Sequence, residues 1–86
     1  MNTNLAGDAA YQNGVVTETG TSAVTGDFWA IQVLEAATFS LFTELAGSGD
    51  AMTGFAIPAG TWIYNGQGIK AFTLSSGKVR AYKRRP

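Results

Sequence analysis

The chain has 86 residues, of which 45% are hydrophobic and 14% charged, with 0 Cys and 0 His. That length holds one modest core, since a domain this small buries only about 60% of the surface its unfolded chain exposes. The missing Cys and His exclude disulfides, Cys/His zinc sites, thiol nucleophiles, haem ligation by either residue and a histidine general base.

The formal charge is +0, six acids against six bases, but the signs are sorted along the chain. Asp8, Glu18, Asp27, Glu35, Glu44 and Asp50 come first; Lys70, Lys78, Arg80, Lys83, Arg84 and Arg85 follow. Residues 1–50 therefore sum to −6 and residues 51–86 to +6. Such asymmetry hints at an interaction arm, or at an acidic side and a basic side that dock on neighbours. Low charge with high apolar content points to a surface that an assembly covers. No apolar run reaches about 18 residues, so no transmembrane helix and no membrane partner are expected. Met1 to Ala10 has no basic stretch and carries Asp8, so it does not read as a signal peptide, and synthesis in a host cytoplasm is expected.

Residues 1–13 show no period and many small polar side chains; they read as an extended arm. Val15, Val16, Thr17 and Thr19 favour a strand, Gly20 a turn, and Ser22 to Thr25 a second short strand. Residues 27–46 support two readings. As a short helix, Asp27 is the N-cap, Gly47 the residue past the end, and Ile31, Leu34, Leu41 and Leu45 share one stripe. As strands, Trp29, Ile31 and Val33 alternate with Ala30 and Gln32, Phe39 and Leu41 alternate with polar residues, and Glu35-Ala36-Ala37 forms the corner. Phe28, Trp29, Phe39 and Phe42 are assigned to the core.

Residues 47–54 are a loop by composition. Phe55 to Ile57 is a short strand ended by the Pro58-Ala59-Gly60 turn, and Thr61 to Tyr64 is another. Asn65-Gly66 favours a tight type I′ hairpin turn, and Gly68 allows a bulge. Residues 69–75 alternate, Ser75-Ser76-Gly77 turns the chain, and Lys78 to Lys83 forms a half-solvated final strand with Val79 and Ala81 inside. Short strands with turns at about 8–12-residue spacing predict an all-β fold, a small antiparallel sandwich or barrel of about six to eight short strands. Residues 14–86 form its single domain, with a basic tail at 83–86.

Little in the chain carries chemistry. No Gly-rich phosphate loop has its Lys, and the acids are spaced about ten residues apart. No catalytic residue, metal or cofactor is assigned. Trp62 and Tyr64 share one face of a short strand and read as core or interface anchors, or as a sugar platform. Lys78, Arg80, Lys83, Arg84 and Arg85, with Tyr82 interleaved, read as a solvated edge strand or a docking patch for an acidic protein surface. Five charges at zero net charge make nucleic acid the weaker partner.

From Gly26 to Tyr82 the order of motifs is GDFWAIQVLEAATFSLF, a Gly-rich loop, then GFAIPAGTWIYNGQGIKAFTLSSGKVRAY. This order resembles small tailed-bacteriophage virion proteins that decorate or cement the outer capsid, over roughly two thirds of the chain. The matching positions are Ile31 and Val33, Pro58 to Gly60, and Gly77, Val79 and Tyr82. The resemblance implies a compact β domain, a homotrimer, the major capsid protein as partner, a place on the virion surface and no catalysis. Lys83-Arg84-Arg85-Pro86 extends past the last matching Tyr. On this reading the partner-facing residues are Trp62, Tyr64, Lys78, Arg80, Tyr82, Lys83, Arg84 and Arg85. The rival readings are a tail or fibre module that binds glycan through Trp62 and Tyr64, and a small nucleic-acid-binding β barrel.

Overall fold

The computed structural model describes residues 14–84. The expected arm at 1–13, and Arg85 and Pro86 of the tail, lie outside them. The described chain is all-β, a single antiparallel sheet of four strands: β1 (Val15–Glu18), β2 (Val24–Glu44), β3 (Ala56–Ile57) and β4 (Trp62–Lys83). The strand order is β1-β4-β2-β3.

The helix alternative for residues 27–46 is overturned, because all of Val24–Glu44 is one strand. The proposed helical stripe does not exist as a surface: Ile31 is fully buried, whereas Leu34, Leu41 and Leu45 are exposed. A helix of this length would need a partner face to bury its stripe. β4 instead offers a strand of matching length and β-branched and aromatic cross-strand neighbours, and those contacts outweigh the helix propensity of Leu, Glu and Ala.

Six to eight short strands were expected; two of the four observed strands are 21 and 22 residues long. Where the sequence signals breaks, the chain bulges and stays paired. At Glu35-Ala36-Ala37 the pairing runs Glu35 to Lys78 and then Thr38 to Ser76, so Ala36 and Ala37 oppose Gly77 alone. The expected corner and the expected turn are thus one bulge that bends both strands together. Gly77 has φ +91°, and a Cβ there would run into the Ala36 carbonyl oxygen and Ala37 Cα.

Asn65-Gly66 is not a hairpin turn either. A type I′ turn needs positive φ at both central residues, and only Gly68 of this segment has it, at +117°. Residues 65–68 bulge out between the Tyr64–Ala30 and Ile69–Phe28 pairs. The Asn65 side chain organises the bulge. Its Oδ1 accepts from the Gln67 N–H at 2.8 Å, and its Nδ2 donates to Glu44 Oε1 at 2.8 Å and the Leu45 carbonyl at 3.2 Å. Pro58-Ala59-Gly60 does turn the chain: the Thr61 N–H donates to the Pro58 carbonyl, and Gly60 sits at φ +88°.

These bends let the first half of β2 pair with β4 along both edges. Ile31 pairs with Ile63 on one side and Ala81 on the other, and Phe72 pairs with both Val24 and Phe42. The sheet therefore wraps round its own inner face. There Phe72 meets Phe28 and Phe39 edge-on, each at 5.8 Å between ring centroids, among Ile31, Val33, Ile69, Leu74 and Val79. Each fully buried side chain of this size contributes about 1.5–3 kcal/mol.

Candidate functional site

Residues paired across strands project from the same side of a sheet. Val79 and Ala81 face the core, as expected for the last strand, so Arg80 and Tyr82 face outward. Their partners follow them. One row across the outer face reads Trp62, Gln32, Arg80, Thr17; the next reads Tyr64, Ala30, Tyr82, Val15.

Trp29 joins this face and is not in the core, contrary to expectation. Phe28 and Ile31 are both buried although three positions apart, which a regular strand cannot provide. The register shift between them supplies the extra residue, so Trp29 and Ala30 both turn outward. Ala30 is fully buried between Tyr64 and Tyr82, while Trp29 stays 43% exposed.

Four rings form a closed group. Centroid distances are 5.8 Å for Trp29–Tyr64, 5.9 Å for Tyr64–Trp62, 5.4 Å for Trp62–Tyr82 and 6.4 Å for Tyr82–Trp29. Trp62 and Tyr64 are nearly parallel, at 5° between planes. The Tyr82 hydroxyl donates to Gln32 Oε1 at 3.0 Å, and the Arg80 guanidinium lies 5.6 Å from the Tyr82 ring centroid, within cation–π range. Tyr64 is the most open of the four, at 63%.

The basic residues do not form one patch. Lys78 pairs with Glu35 at 2.8 Å, and Lys70 with Asp27 at 2.9 Å. Arg84 Nε reaches both Asp27 oxygens at 3.1 Å, its Nη1 donates to the Gly66 carbonyl, and its N–H donates to the Asp27 carbonyl. Hydrogen bonds from Arg84 and then Lys70 hold the Asp27 carboxyl below its ordinary value of 3.8. Among the described residues the ion pairs join Asp27 and Glu35 to Lys70, Lys78 and Arg84, which brings the two signs together. β2 carries acids, β4 carries bases, and pairing the strands interleaves them. Among the described residues Arg80 and Lys83 make no ion pair.

Of the residues assigned from sequence, the fold brings Trp62, Tyr64, Arg80 and Tyr82 together. It ties Lys78 and Arg84 into ion pairs and leaves Lys83 exposed at the end of β4. Trp29 and Gln32 were missed, because Phe28-Trp29-Ala30-Ile31 is an unbroken apolar run in which no alternation marks the outward side. A separate open depression of about 270 Å³ lies between the end of β2 and residues 47–52, and includes Phe42, Glu44, Asp50 and Met52. No family model, curated protein or solved structure matches this chain.

Proposed function

We propose that this chain is a non-enzymatic structural protein of a bacteriophage virion, decorating the outer capsid and stabilising the head. It acts as a homotrimer seated on the major capsid protein, after synthesis in the host cytoplasm. The sheet closes on itself as a small barrel, which the pairing of β2 with β4 along both edges supports.

The observation that carries the reading is the exposed apolar surface. Outside the ring face, Leu34, Leu41, Leu45 and Phe55 are each more than 40% exposed among the described residues of a small neutral chain. Single exposed hydrophobics are ordinary; this density belongs to a protein whose surface is covered when it works. Leu41 and Phe55 lie with the second half of β2, past the bend at Glu35–Ala37 from the aromatic rings, and are the attachment residues. Buried area at about 25 cal/mol per Å² adds to the free energy of opening the shell, and repetition over the shell multiplies it.

The test is retention on purified heads. Wild-type protein is expected to co-purify with capsids and to raise their heat resistance. The Leu41→Asp, Phe55→Asp double variant should remain folded and dissociate from them. Heads that lack the protein, or its presence on tails alone, would overturn the reading.

A further inference from the structure

The aromatic face asks for a different occupant from the aliphatic surface past the bend. Its rows hold three rings, with Trp29 joining from the bulge, an amide, a guanidinium, a threonine and only one aliphatic side chain larger than alanine, Val15 at the β1 edge. Its polar groups stand open. Among the described residues the indole N–H groups of Trp29 and Trp62, the Tyr64 hydroxyl and the Arg80 guanidinium make no hydrogen bond, and the Gln32 amide nitrogen donates none. A ligand for this face must offer flat apolar patches to the rings together with hydrogen-bonding groups all round them.

We propose that the face formed by Trp29, Tyr64, Trp62 and Tyr82, with Gln32 and Arg80, binds a neutral or singly charged oligosaccharide of pyranose units. The C–H side of a pyranose is apolar and stacks on an aromatic ring, while its hydroxyls radiate in the ring plane as donors and acceptors. The Gln32 amide and the Arg80 guanidinium are planar groups that can each engage two neighbouring hydroxyls, and Arg80 also accepts a sugar carboxylate.

Charge selects against the other ligand that stacks on rings. Single-stranded nucleic acid binds where aromatic side chains line a positively charged groove. Among the described residues Lys70, Lys78 and Arg84 are held by Asp27 and Glu35, and the two rows of the face hold one cation, Arg80, with Lys83 beyond them at the end of β4. Four rings without that field suit a ligand that brings little charge. The proposal goes beyond the decorating role and uses a different surface, so either can fail without the other.

The experiment is a titration of the whole chain, read by tryptophan fluorescence and calorimetry. The probes are a β-1,4-glucan hexasaccharide, a β-1,4-linked N-acetylglucosamine hexasaccharide, a bacterial O-polysaccharide and a single-stranded oligothymidylate. At least one saccharide is expected to saturate with a dissociation constant of about millimolar or tighter. Trp62→Ala and Arg80→Ala should each weaken it by about tenfold or more, with the chain still folded and capsid retention unchanged. Gln32→Ala should weaken it less. No saturation by any saccharide up to about ten times millimolar would overturn the proposal. So would equal binding by Trp62→Ala, or tighter binding of the oligothymidylate than of every saccharide.

Discussion

Phe28 and Trp29 are adjacent, both large and aromatic, and the sheet sends them to opposite sides. Phe28 is fully buried against Phe72, whereas Trp29 stands 43% exposed against Tyr64. Their alanine variants should therefore separate widely. Phe28→Ala leaves a cavity where three phenylalanines meet and is expected to cost about 3–5 kcal/mol in denaturant unfolding. Trp29→Ala removes one partly exposed partner from the ring group and is expected to cost about 1 kcal/mol. Comparable losses would mean that Trp29 is a core residue after all. The sequence could not separate the two, since four apolar residues in a row carry no period. At Val79-Arg80-Ala81-Tyr82 the alternation is clean, and there the outward residues were legible. Ala46 presents a second single-residue test. It holds φ 61°, a left-handed conformation that costs an L side chain about 1–2 kcal/mol. Ala46→Gly releases that strain and gives back part of it to the unfolded chain, for an expected gain of about 0.5–1 kcal/mol. A loss of stability would show that the strain lies elsewhere.

At the scale of elements, the punctuation in the sequence was legible but its meaning was not. By sequence alone Gly77 signals a turn and Glu35-Ala36-Ala37 a corner, in separate places. They are one feature, because the long ladder between β2 and β4 sets them opposite each other. Asn65-Gly66 carries the hairpin signal of a tight turn. Yet it lies within β4, and its side chain is engaged by Glu44 and Leu45, far away in sequence. Local signals report where a strand deviates; only cross-strand pairing decides whether the deviation is a turn or a bulge. Gly77→Ala tests how far the fold depends on this. The added Cβ meets the Ala36 carbonyl and Ala37 Cα at positive φ, and neither backbone group can give way alone. The expected outcome is a loss of about 3 kcal/mol or more, with a less cooperative transition as the second halves of both strands detach. Gly60→Ala has the same positive φ and nothing near its Cβ, so about 1–2 kcal/mol is expected there. The difference between the two isolates the close approach from the backbone strain.

Over the whole molecule, the charge sorting visible along the chain is an intramolecular device. Acids on β2 and bases on β4 meet because those strands pair, and Asp27 is the centre of it, bridging Lys70 on the bulged half of β4 and Arg84 at its end. The Asp27 carboxyl is held below its ordinary 3.8 by Arg84 and then Lys70, so its charged form stabilises the fold. That contribution is fully present above the unfolded value and is lost as pH falls through the lower folded value. The wild type should therefore lose stability in the acid range below about pH 4, and Asp27→Asn should be less stable at neutral pH with a flatter acid limb. Identical acid limbs would remove Asp27 from the account. The pairs are exposed, so the effect is modest and screened by salt. The same interleaving makes a prediction about assembly. An oligomer built by acidic sides meeting basic sides would come apart at high ionic strength. One built on Leu41, Phe55 and similar surface would not, because Asp27 and Glu35 already make their ion pairs within each chain. Sedimentation at about 0.05 M and about 1 M salt is expected to give the same oligomer, or a slightly tighter one, since screening at these distances acts on ion pairs and leaves apolar burial intact. Dissociation at the higher salt would restore charge docking between copies as the force that holds them.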